Sequence, residues 1–314
     1  MPRRPIIIDC DPGVDDAIAL MLALRSPELE VQAITTVAGN VPLDLTQRNA
    51  RQICELLDRR DVPVYAGCPR PLIRSLVTAE AVHGNTGLNG ITLPEPALPL
   101  QAQHGVSHLI EALQQAPAPI TLATLGPLTN IAVALIQCPQ IRDSIAEIVT
   151  MGGAVTRGNI TPVAEFNLYV DPHGARVVFE AGIPITMLSL DVTHQVLTTP
   201  ERLAQLQALG TPISQVAVVL LTPYGDRDRA QLGLTGAPLH DPCVIAHLLR
   251  PDLFTTYDAE VTVETNSPLT LGQTVVNPRP TAALTNPVKV AHRVNADGIY
   301  QLLQDRLANT AAIS

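Results

Sequence analysis

The stretch IIIDCDPGVDDAIAL, residues 6–20, predicts the first strand, turn and helix of an α/β fold. Three isoleucines precede Asp9, Pro12 and Gly13 turn the chain, and an apolar helical pattern begins near Val14. An apolar run that ends at a turn and leads into a helix is typical of a buried parallel strand and its crossover helix. The stretch also gathers four carboxylates within eight positions, namely Asp9, Asp11, Asp15 and Asp16.

Strands and helices alternate along the first two thirds of the chain. Apolar, β-branched runs predict buried strands at residues 5–9, 31–37, 63–66, 119–125, 146–151 and 184–190. Helical patterns lie between them, at residues 14–25, 43–58, 104–115, 128–137 and 172–181. This alternation predicts a mostly parallel central sheet with helices on both faces. Ligands of such sheets bind at the carboxyl ends of the strands, which is where DCDPG falls.

Beyond residue 195 the alternation is less regular. Helices are predicted at residues 200–209, 212–223 and 296–308, with a short one opening at His240, and strands near residues 257–264, 270–276 and 287–293. We find no linker, repeat or low-complexity tract, so we expect a single domain over residues 1–314. The segment 70–100 is long and irregular, which is typical of loops that carry function or disorder.

Composition excludes several classes of protein. Hydrophobic residues make up 46% and charged residues 16%, which excludes a disordered chain, and no apolar run approaches the ~20 residues of a membrane helix. The net charge of −9 disfavours nucleic acid as a partner, because phosphate backbones bind basic surfaces. We find no signal-peptide pattern and expect a cytoplasmic protein without a membrane partner. The five cysteines lack C-x-x-C spacing, so we expect them to be reduced.

Four carboxylates so close together require a compensating interaction. An Asp in the first turn of a helix is stabilised by free N–H groups and the helix dipole, and such capping alone could explain one or two of them. Like charges held together where water is scarce cost several kcal/mol unless protons or a cation neutralise them. Carboxylate and carbonyl oxygens are the ligands that Ca²⁺ and Mg²⁺ select. The pattern therefore predicts a hard divalent cation, with capping as the alternative.

Further polar segments follow later strands. They are TLGPLTNIA at 124–132, MGGAVTRGNITPVAEFNLYVD at 151–171 and GAPLHDPCVIAHLL at 236–249. The backbone carbonyls of the first would face the same crevice. In the second, Asn159, Glu165 and Asn167 offer the acceptors and amides that hold hydroxyl-rich ligands such as sugars. The third begins a helix with His240 and Asp241, for which simple capping is the alternative.

Taken together these motifs resemble the nucleoside hydrolase family, the inosine-uridine-preferring N-ribohydrolases. DCDPGVDDA is that family's signature, and ITTVAGN, VHGNTG, LGPLTN, MGG…GN…AEFN…D and HDPC follow it in the family's order over nearly the whole chain. GAPLHDPC and ETNSPLTLGQTVV are most similar to the bacterial pyrimidine-preferring branch. The resemblance implies a Ca²⁺-dependent enzyme that hydrolyses the N-glycosidic bond of ribonucleosides to ribose and free base, for nucleoside salvage.

The resemblance also implies which residues bind the metal. Ca²⁺ would be held by the carboxylates of Asp11, Asp16 and Asp241 and by the backbone carbonyl of Leu125. Asp11 would in addition accept the proton of a calcium-bound water that attacks the anomeric carbon. Asp9 is similar to a residue that supports the metal ligands without itself binding the metal.

Contacts with the substrate follow from the same resemblance. Ribose would be bound through its 2′- and 3′-hydroxyls by Asp15, Asn40 and Asn167, and through its 5′-hydroxyl by Asn159 and Glu165, with Met151 also in contact. His83 and His240 are the candidates for catalytic contact with the leaving base, since histidine titrates near neutral pH, and loop anchoring is their alternative role. The remaining histidines are expected to be structural or at the surface: His104, His108, His173, His194, His247 and His292.

Two hypotheses from other classes compete with this one. A D-x-D at the end of the first strand is also typical of Mg²⁺-dependent phosphotransferases of the haloacid dehalogenase type, but their phosphate-binding lysine has no counterpart here, because the only lysine is Lys289. A non-catalytic nucleoside or sugar binder would keep the ribose ligands and lack a working base.

Assembly and base preference depend on parts of the chain that match the family less closely. The resemblance implies a homodimer or homotetramer. We expect base preference to depend on the loops at 70–100 and 220–238. Tyr224 begins YGDRDRAQ, a stretch in which relatives place aromatic residues near the base but whose sequence departs from their pattern.

Overall fold

The computed structural model describes residues 3–224, 233–279 and 287–308. Its strands in these ranges are β1 (Arg4–Cys10), β2 (Leu29–Thr36), β3 (Val64–Ala66), β4 (Leu100–Gln101), β5 (Ile120–Thr124), β6 (Ile145–Met151), β7 (Ile185–Leu188), β8 (Leu197–Thr198), β9 (Ala237–Pro238), β10 (Phe254–Val263), β11 (Thr274–Asn277) and β12 (Val288–Val294). Ten of them form one sheet in the order β11-β10-β12-β7-β6-β5-β1-β2-β3-β4, and β8 pairs separately with β9.

Helices connect most of these strands. They are α1 (Val14–Leu24), α2 (Leu43–Leu56), α3 (Glu80–His83), α4 (Gly105–Gln115), α5 (Thr129–Gln137), α6 (Phe166–Val170), α7 (Pro172–Phe179), α8 (Leu190–Thr193), α9 (Pro200–Ala208), α10 (Pro212–Leu221), α11 (Pro242–Leu249) and α12 (Ala296–Ala308), with 3₁₀ turns at Pro139–Ser144 and Pro251–Leu253. None of the helices in the described ranges is both long and apolar enough to cross a bilayer.

The predicted α/β class with a mostly parallel sheet is confirmed. Neighbouring strands from β12 through β7, β6, β5, β1, β2 and β3 to β4 pair in parallel, and β10 pairs antiparallel with both β11 and β12. Side chains of β1 alternate between two hydrophobic clusters, since Ile6 and Ile8 belong to one and Ile7 to the other. The period of two along a strand therefore gives the sheet two apolar faces, and helices cover both.

Some predicted boundaries differ from those observed. The strand predicted at 270–276 is the shorter β11, and β4 and the short helices α3, α6 and α8 were not predicted. These elements have two to five residues, which is too short for a helical or strand period to be visible in the sequence. Residues 225–232, within the predicted base-preference loop at 220–238, lie outside the described ranges.

Helix α1 explains why the start of the chain is so apolar. All eleven of its residues are buried, because α1 packs against α2, α10, α11 and α12 while lying on the sheet. Burial of each large aliphatic side chain contributes about 1.5–3 kcal/mol. The amino terminus of α1, with Asp15 and Asp16 in its first turn, is therefore held rigidly against the core.

The order in which the chain adds strands to the sheet reverses at β1. From β1 it proceeds through β2 and β3 to β4, and it then returns to the other side of β1 as β5. The loops that follow β1 and β5 diverge at this point and leave a crevice at the carboxyl ends of the strands. Asp11 and Leu125 border that crevice, as each lies one residue beyond its strand.

Candidate active site

Asp11 occupies a slot between two glycine turns. A Cβ added at Gly39, after β2, or at Gly126, after β5, would overlap the carboxylate oxygens of Asp11. The backbone N–H of Asn40 donates to Asp11 Oδ2 at 2.7 Å. Asp11 Oδ1 is buried and has no hydrogen-bond partner among the described residues. A buried carboxylate oxygen without a donor leaves a place for a proton or a cation.

Asp16 combines a capping role with membership of the acidic cluster. Its carboxylate accepts the backbone N–H groups of Asp11 at 3.2 Å and Gly13 at 3.0 Å. The side-chain amide of Asn40 donates to Asp16 Oδ2 at 3.0 Å and to the backbone carbonyl of Asp11 at 3.2 Å. Capping therefore accounts for part of the environment of Asp16, and Asn40 ties the two aspartates together.

Three buried carboxylates meet at the end of β1. Asp15, Asp16 and Asp241 each offer an oxygen, and these three oxygens lie within 4.8 Å of one another. Asp241 immediately precedes α11 and its side chain makes no capping hydrogen bond, so the capping alternative does not apply to it. The structure thus brings Asp15, expected at the ribose hydroxyls, into the same cluster as two expected metal ligands.

The cluster is electrostatically unfavourable without a compensating positive charge. Burial, followed by the negative charge of Asp16, raises the pKa of Asp11 well above its ordinary range. Burial and the charge of Asp15 raise the pKa of Asp16 to about 6 and that of Asp241 well above normal. Clustered hard oxygen donors with raised pKa values suit Ca²⁺ or Mg²⁺, because such a cation favours their ionised form. The residues present therefore fit a divalent metal.

Asp9 lies two residues before Asp11 on the same strand. Its Oδ1 accepts hydrogen bonds from Thr35 Oγ1 at 2.5 Å and from Asn130 Nδ2 at 2.7 Å. Burial raises the pKa of Asp9 to about 7. Asp9 thus links β1 to β2 and to α5 beneath the crevice, and it lies outside the cluster of three carboxylates.

The opposite wall of the crevice is built at the start of α6. Glu165 caps this helix by accepting the N–H groups of Asn167 at 2.8 Å and Leu168 at 3.2 Å, and it also accepts Gly153 N–H at 3.0 Å. Burial nevertheless raises the pKa of Glu165 to about 7. Asn167 Nδ2 donates to the carbonyl of Leu125 at 2.7 Å, which places that carbonyl beside the ribose-binding candidates.

His83 contacts the start of α1 through its Nδ1 atom. Its Nδ1 accepts the backbone N–H of Val14 at 3.1 Å and lies 4.0 Å from Asp15 Oδ1. Burial lowers the pKa of His83. A ring that accepts at Nδ1 and stays neutral carries its proton on Nε2. His83 is therefore a hydrogen-bond donor at Nε2.

His240 is oriented from a different element. Its Nδ1 lies 2.8 Å from Thr193 Oγ1, at the end of α8. The ring of His194 contacts it edge-on, with centroids 5.7 Å apart. Burial, together with the proximity of His240, lowers the pKa of His194 to about 4.

These side chains line one cleft that opens to solvent. Its lining includes every residue expected to contact substrate, as well as Leu125 and Asp241; these substrate candidates are Asp15, Asn40, His83, Met151, Asn159, Glu165, Asn167 and His240. Asp11 and Asp16 are fully buried and connect to the cleft through Asn40. A cleft that combines convergent polar groups with apolar side chains is typical of a site for a small molecule.

Comparison with known proteins decides the family. Residues 6–301 match the profile of the inosine-uridine preferring nucleoside hydrolases. The chain belongs to this family. It is 48% identical over 310 residues to the pyrimidine-specific ribonucleoside hydrolase RihA of Photobacterium profundum, covering 98% of this chain and 99% of that one.

Solved nucleoside hydrolases have the same fold. The purine-preferring ribonucleoside hydrolase from Gardnerella vaginalis aligns with a TM-score of 0.90 at 32% identity, covering 97% of this chain and 98% of that one. A plant nucleoside hydrolase aligns with a TM-score of 0.91 at 33% identity, covering 98% and 99%. The protein is thus an enzyme that hydrolyses N-glycosidic bonds of ribonucleosides, and the phosphotransferase and binder hypotheses are set aside. Lys289, on β12, is not among the residues that line the cleft.

Several residues that line the cleft of this nucleoside hydrolase were not predicted from the sequence. They are Thr78, Ala79, Ala81, Val82, Ile160 and Phe166. The first four belong to the 70–100 segment, whose length was the only signal available for them. Tyr224 also lines the cleft, where it is buried with its ring centroid 5.6 Å from that of His83. These mainly apolar side chains complete the lining of the cleft.

Proposed function

We propose that the protein is a calcium-dependent nucleoside hydrolase that prefers pyrimidine ribonucleosides, uridine and cytidine, and releases ribose and the free base. The proposal rests on one oxygen of Asp11, which has no hydrogen-bond partner in the described part of the chain, and on the neighbouring cluster of Asp15, Asp16 and Asp241. Pyrimidine preference is supported by the name of the RihA relative. The fold alone does not favour either base, since a purine-preferring enzyme shares it.

The metal would be held by the carboxylates of Asp11, Asp16 and Asp241 and by the carbonyl of Leu125. Calcium binds six to eight oxygen ligands, so Asp15, which belongs to the same cluster of carboxylates, can contribute to the site. A calcium ion supplies positive charge that lowers the pKa of water.

Asp11 is the general base of the proposed reaction. It accepts a proton from the water whose oxygen forms the new bond to the anomeric carbon, while the bond from that carbon to the base nitrogen breaks and its electron pair leaves with the base. The glycine slot and the Asn40 N–H hold the Asp11 carboxylate in one orientation. A base fixed in this way does not have to be reoriented during the reaction.

Ribose is held between the two walls of the cleft. Asp15, Asn40 and Asn167 bind the 2′- and 3′-hydroxyls, and Asn159 and Glu165 bind the 5′-hydroxyl, with Met151 against the sugar. Positive charge develops on the sugar ring as the glycosidic bond breaks. The surrounding carboxylates stabilise that charge electrostatically, because they are buried and already oriented.

The leaving base is contacted by the two histidines. His83 donates from Nε2, because its Nδ1 is occupied by Val14 N–H. His240, whose Nδ1 lies 2.8 Å from Thr193 Oγ1, also lines the cleft. Hydrogen bonds to a pyrimidine carbonyl oxygen stabilise the base as it takes up the electron pair, before it is protonated.

Base preference is tested by comparing kcat/KM for uridine, cytidine, inosine and adenosine with the calcium-loaded protein. We expect either pyrimidine nucleoside to exceed inosine by about tenfold or more, the range that pocket contacts commonly provide. A tenfold preference for inosine would refute pyrimidine specificity and leave the hydrolase assignment intact. Measured ribose release confirms the bond that is cleaved.

We also propose a homodimer or homotetramer that acts in cytoplasmic nucleoside salvage, with the whole of residues 1–314 as one domain. The support is the family resemblance of the sequence. Light scattering on the purified protein measures the number of subunits, and a monomer at micromolar concentration would contradict this part of the proposal.

A further inference from the structure

One wall of the cleft is carried by an exposed loop. Residues 152–165 connect β6 to α6 and bring Asn159 and Ile160 to the cleft. Ile160 is 39% exposed. The tip closes on itself, because the carbonyl of Ala164 accepts the N–H groups of Asn159 at 3.1 Å and Ile160 at 3.3 Å. Ala164 is buried and forms an antiparallel bridge with Gln273, so these bonds attach the far side of the tip to the body of the protein. The near side of the tip depends on other contacts.

The first half of the loop is attached to the body of the protein at successive residues. The Gly153 carbonyl accepts Leu190 N–H at 3.0 Å, and Ala154 exchanges two hydrogen bonds with Thr274 Oγ1, at 2.9 and 2.6 Å. The next attachment is a single side chain, Asp191 on α8. Beyond it come the residues of the tip.

The Asp191 carboxylate makes three hydrogen bonds to two consecutive loop residues. Oδ2 accepts Val155 N–H at 2.6 Å, and Oδ1 accepts Thr156 N–H at 3.1 Å and the Thr156 hydroxyl at 2.5 Å. Hydrogen bonds to an ionised acceptor are about twice as strong as neutral ones. Val155 and Thr156 are themselves exposed, so apolar packing contributes little to holding them.

We propose that Asp191 is a positioning residue of this nucleoside hydrolase, which fixes the 152–165 loop so that Asn159 reaches the 5′-hydroxyl of ribose. This rests on the proposed function, in which Asn159 binds that hydroxyl. Asp191 itself does not line the cleft. It acts through the loop by holding Thr156, three residues before Asn159. Because the loop is already ordered, it loses less conformational entropy when substrate binds.

The other 5′-hydroxyl ligand is held independently of Asp191. Glu165 is fixed by the backbone N–H groups of Gly153, Asn167 and Leu168. Asn159 is joined to that end of the loop by its Oδ1, which accepts Phe166 N–H at 3.0 Å. Loss of Asp191 should release only the near side of the tip, at Val155 and Thr156. We expect this to weaken recognition at Asn159 while Glu165 and the carboxylate cluster stay in place.

The test compares kcat/KM for uridine and 5′-deoxyuridine, or for inosine and 5′-deoxyinosine if the wild type prefers inosine. In the wild type we expect the 5′-hydroxyl to favour the complete nucleoside by about tenfold or more, the effect of one or two hydrogen bonds. Asp191→Asn and Asn159→Ala should both reduce that ratio severalfold, with activity on the 5′-deoxy substrate within about threefold of wild type. Thr156→Val should have a smaller effect in the same direction.

Asp252→Asn is the matched control, because it makes the same change at an exposed aspartate paired with Arg250, and it should retain the wild-type ratio. If Asp191→Asn lowers activity on both substrates equally, or changes neither, Asp191 is only structural and the inference is overturned. Should Asp191→Asn fail to fold, an unchanged ratio in Thr156→Val overturns it instead.

Failure of the proposed function gives a different result. If neither the wild type nor Asn159→Ala discriminates between the two substrates, the 5′-hydroxyl assignment of Asn159 is wrong. Hydrogen exchange then tests Asp191 separately: the amides of Val155 and Thr156 should exchange faster in Asp191→Asn, and unchanged protection would show that Asp191 does not hold the loop.

Discussion

Asp11 differs from an ordinary surface aspartate through its surroundings. Its carboxylate is enclosed by the turns at Gly39 and Gly126, one oxygen has no donor among the described residues, and burial raises its pKa. A carboxylate with a raised pKa is a stronger proton acceptor than one in water once it is ionised. The chemistry of this residue therefore depends on contacts that the neighbouring strands provide.

Asp11→Ala removes both the proposed base and a proposed metal ligand. We expect turnover of uridine to fall by at least about 10³, the range of positioned proton transfer. Asp305→Ala, at an exposed position on α12, serves as the control and should turn over normally. Steady-state kinetics with thermal melting checks both variants, and near-normal turnover in folded Asp11→Ala would contradict the assignment.

His83 has a structural and a proposed catalytic role that two substitutions can separate. Asn can place an acceptor near the position of Nδ1 and preserve the bond from Val14 N–H, whereas Ala leaves that buried donor unpaired. We expect His83→Ala to lower the free energy of unfolding by about 1–3 kcal/mol more than His83→Asn does.

Both variants lack the Nε2 donor, so both should lose turnover of pyrimidine nucleosides to a similar extent. Urea unfolding and kcat measurements provide the two readouts. Equal stabilities would show that the Val14 contact is unimportant, and full activity in His83→Asn would exclude a base contact through Nε2.

At the scale of elements, the site is assembled from turns that follow strands of one sheet. Gly39 follows β2 and Gly126 follows β5, on either side of β1. Their lack of side chains is what admits the Asp11 carboxylate between the two turns. Substitution at either turn should therefore disturb Asp11 without removing any polar group.

Gly126→Ala is expected to lower kcat by about 10²-fold or more, because a displacement near 1 Å at the reacting group has that effect. Gly210→Ala is the control: nothing lies within 4 Å of its added Cβ, but its φ is +68°, so it should cost about 1–2 kcal/mol of stability and leave kcat unchanged. Wild-type kcat in Gly126→Ala would show that the slot is wider than the structure indicates.

The element scale also shows where prediction from the sequence failed. Long amphipathic or apolar elements such as α1, α2 and β6 were found close to their observed bounds, since their periods extend over several repeats. Helices α3 and α8 have four residues each, which is too short to show such a period in the sequence. Yet α3 carries His83 and α8 carries Asp191 and Thr193, so the missed elements position important side chains of the cleft.

For the whole molecule, buried carboxylates determine how stability depends on pH. Burial raises the pKa of Asp9 and Glu165 to about 7 and that of Asp16 to about 6, from 3.8, 4.5 and 3.8. Without a cation the folded protein then binds more protons than the unfolded chain between about pH 4 and 7, and stability falls as pH rises through this window. His194 and His247, with pKa values lowered to about 4, act oppositely, but only below about pH 6.5.

Calcium should therefore stabilise the protein more at pH 8 than at pH 6.5, because its ligands must be ionised to bind it. At a hundredfold excess over Kd the stabilisation is about 3 kcal/mol. Melting temperatures with EDTA or with calcium at both pH values measure the increment. Asp241→Asn is the comparison that should lose most of it, and equal increments at the two pH values in the wild type would contradict a site made of these carboxylates.

The sequence by itself determined the architecture and where the acidic residues fall in it. Strand and helix periods are local properties, and a D-x-D at the end of an apolar strand must lie at the carboxyl edge of a parallel sheet. Only the tertiary structure decided the partners of each side chain: His83 meets Val14 across 69 residues, and Thr193 meets His240 across 47. Such contacts depend on how distant elements pack against one another. A single sequence contains no periodic pattern from which that packing can be predicted.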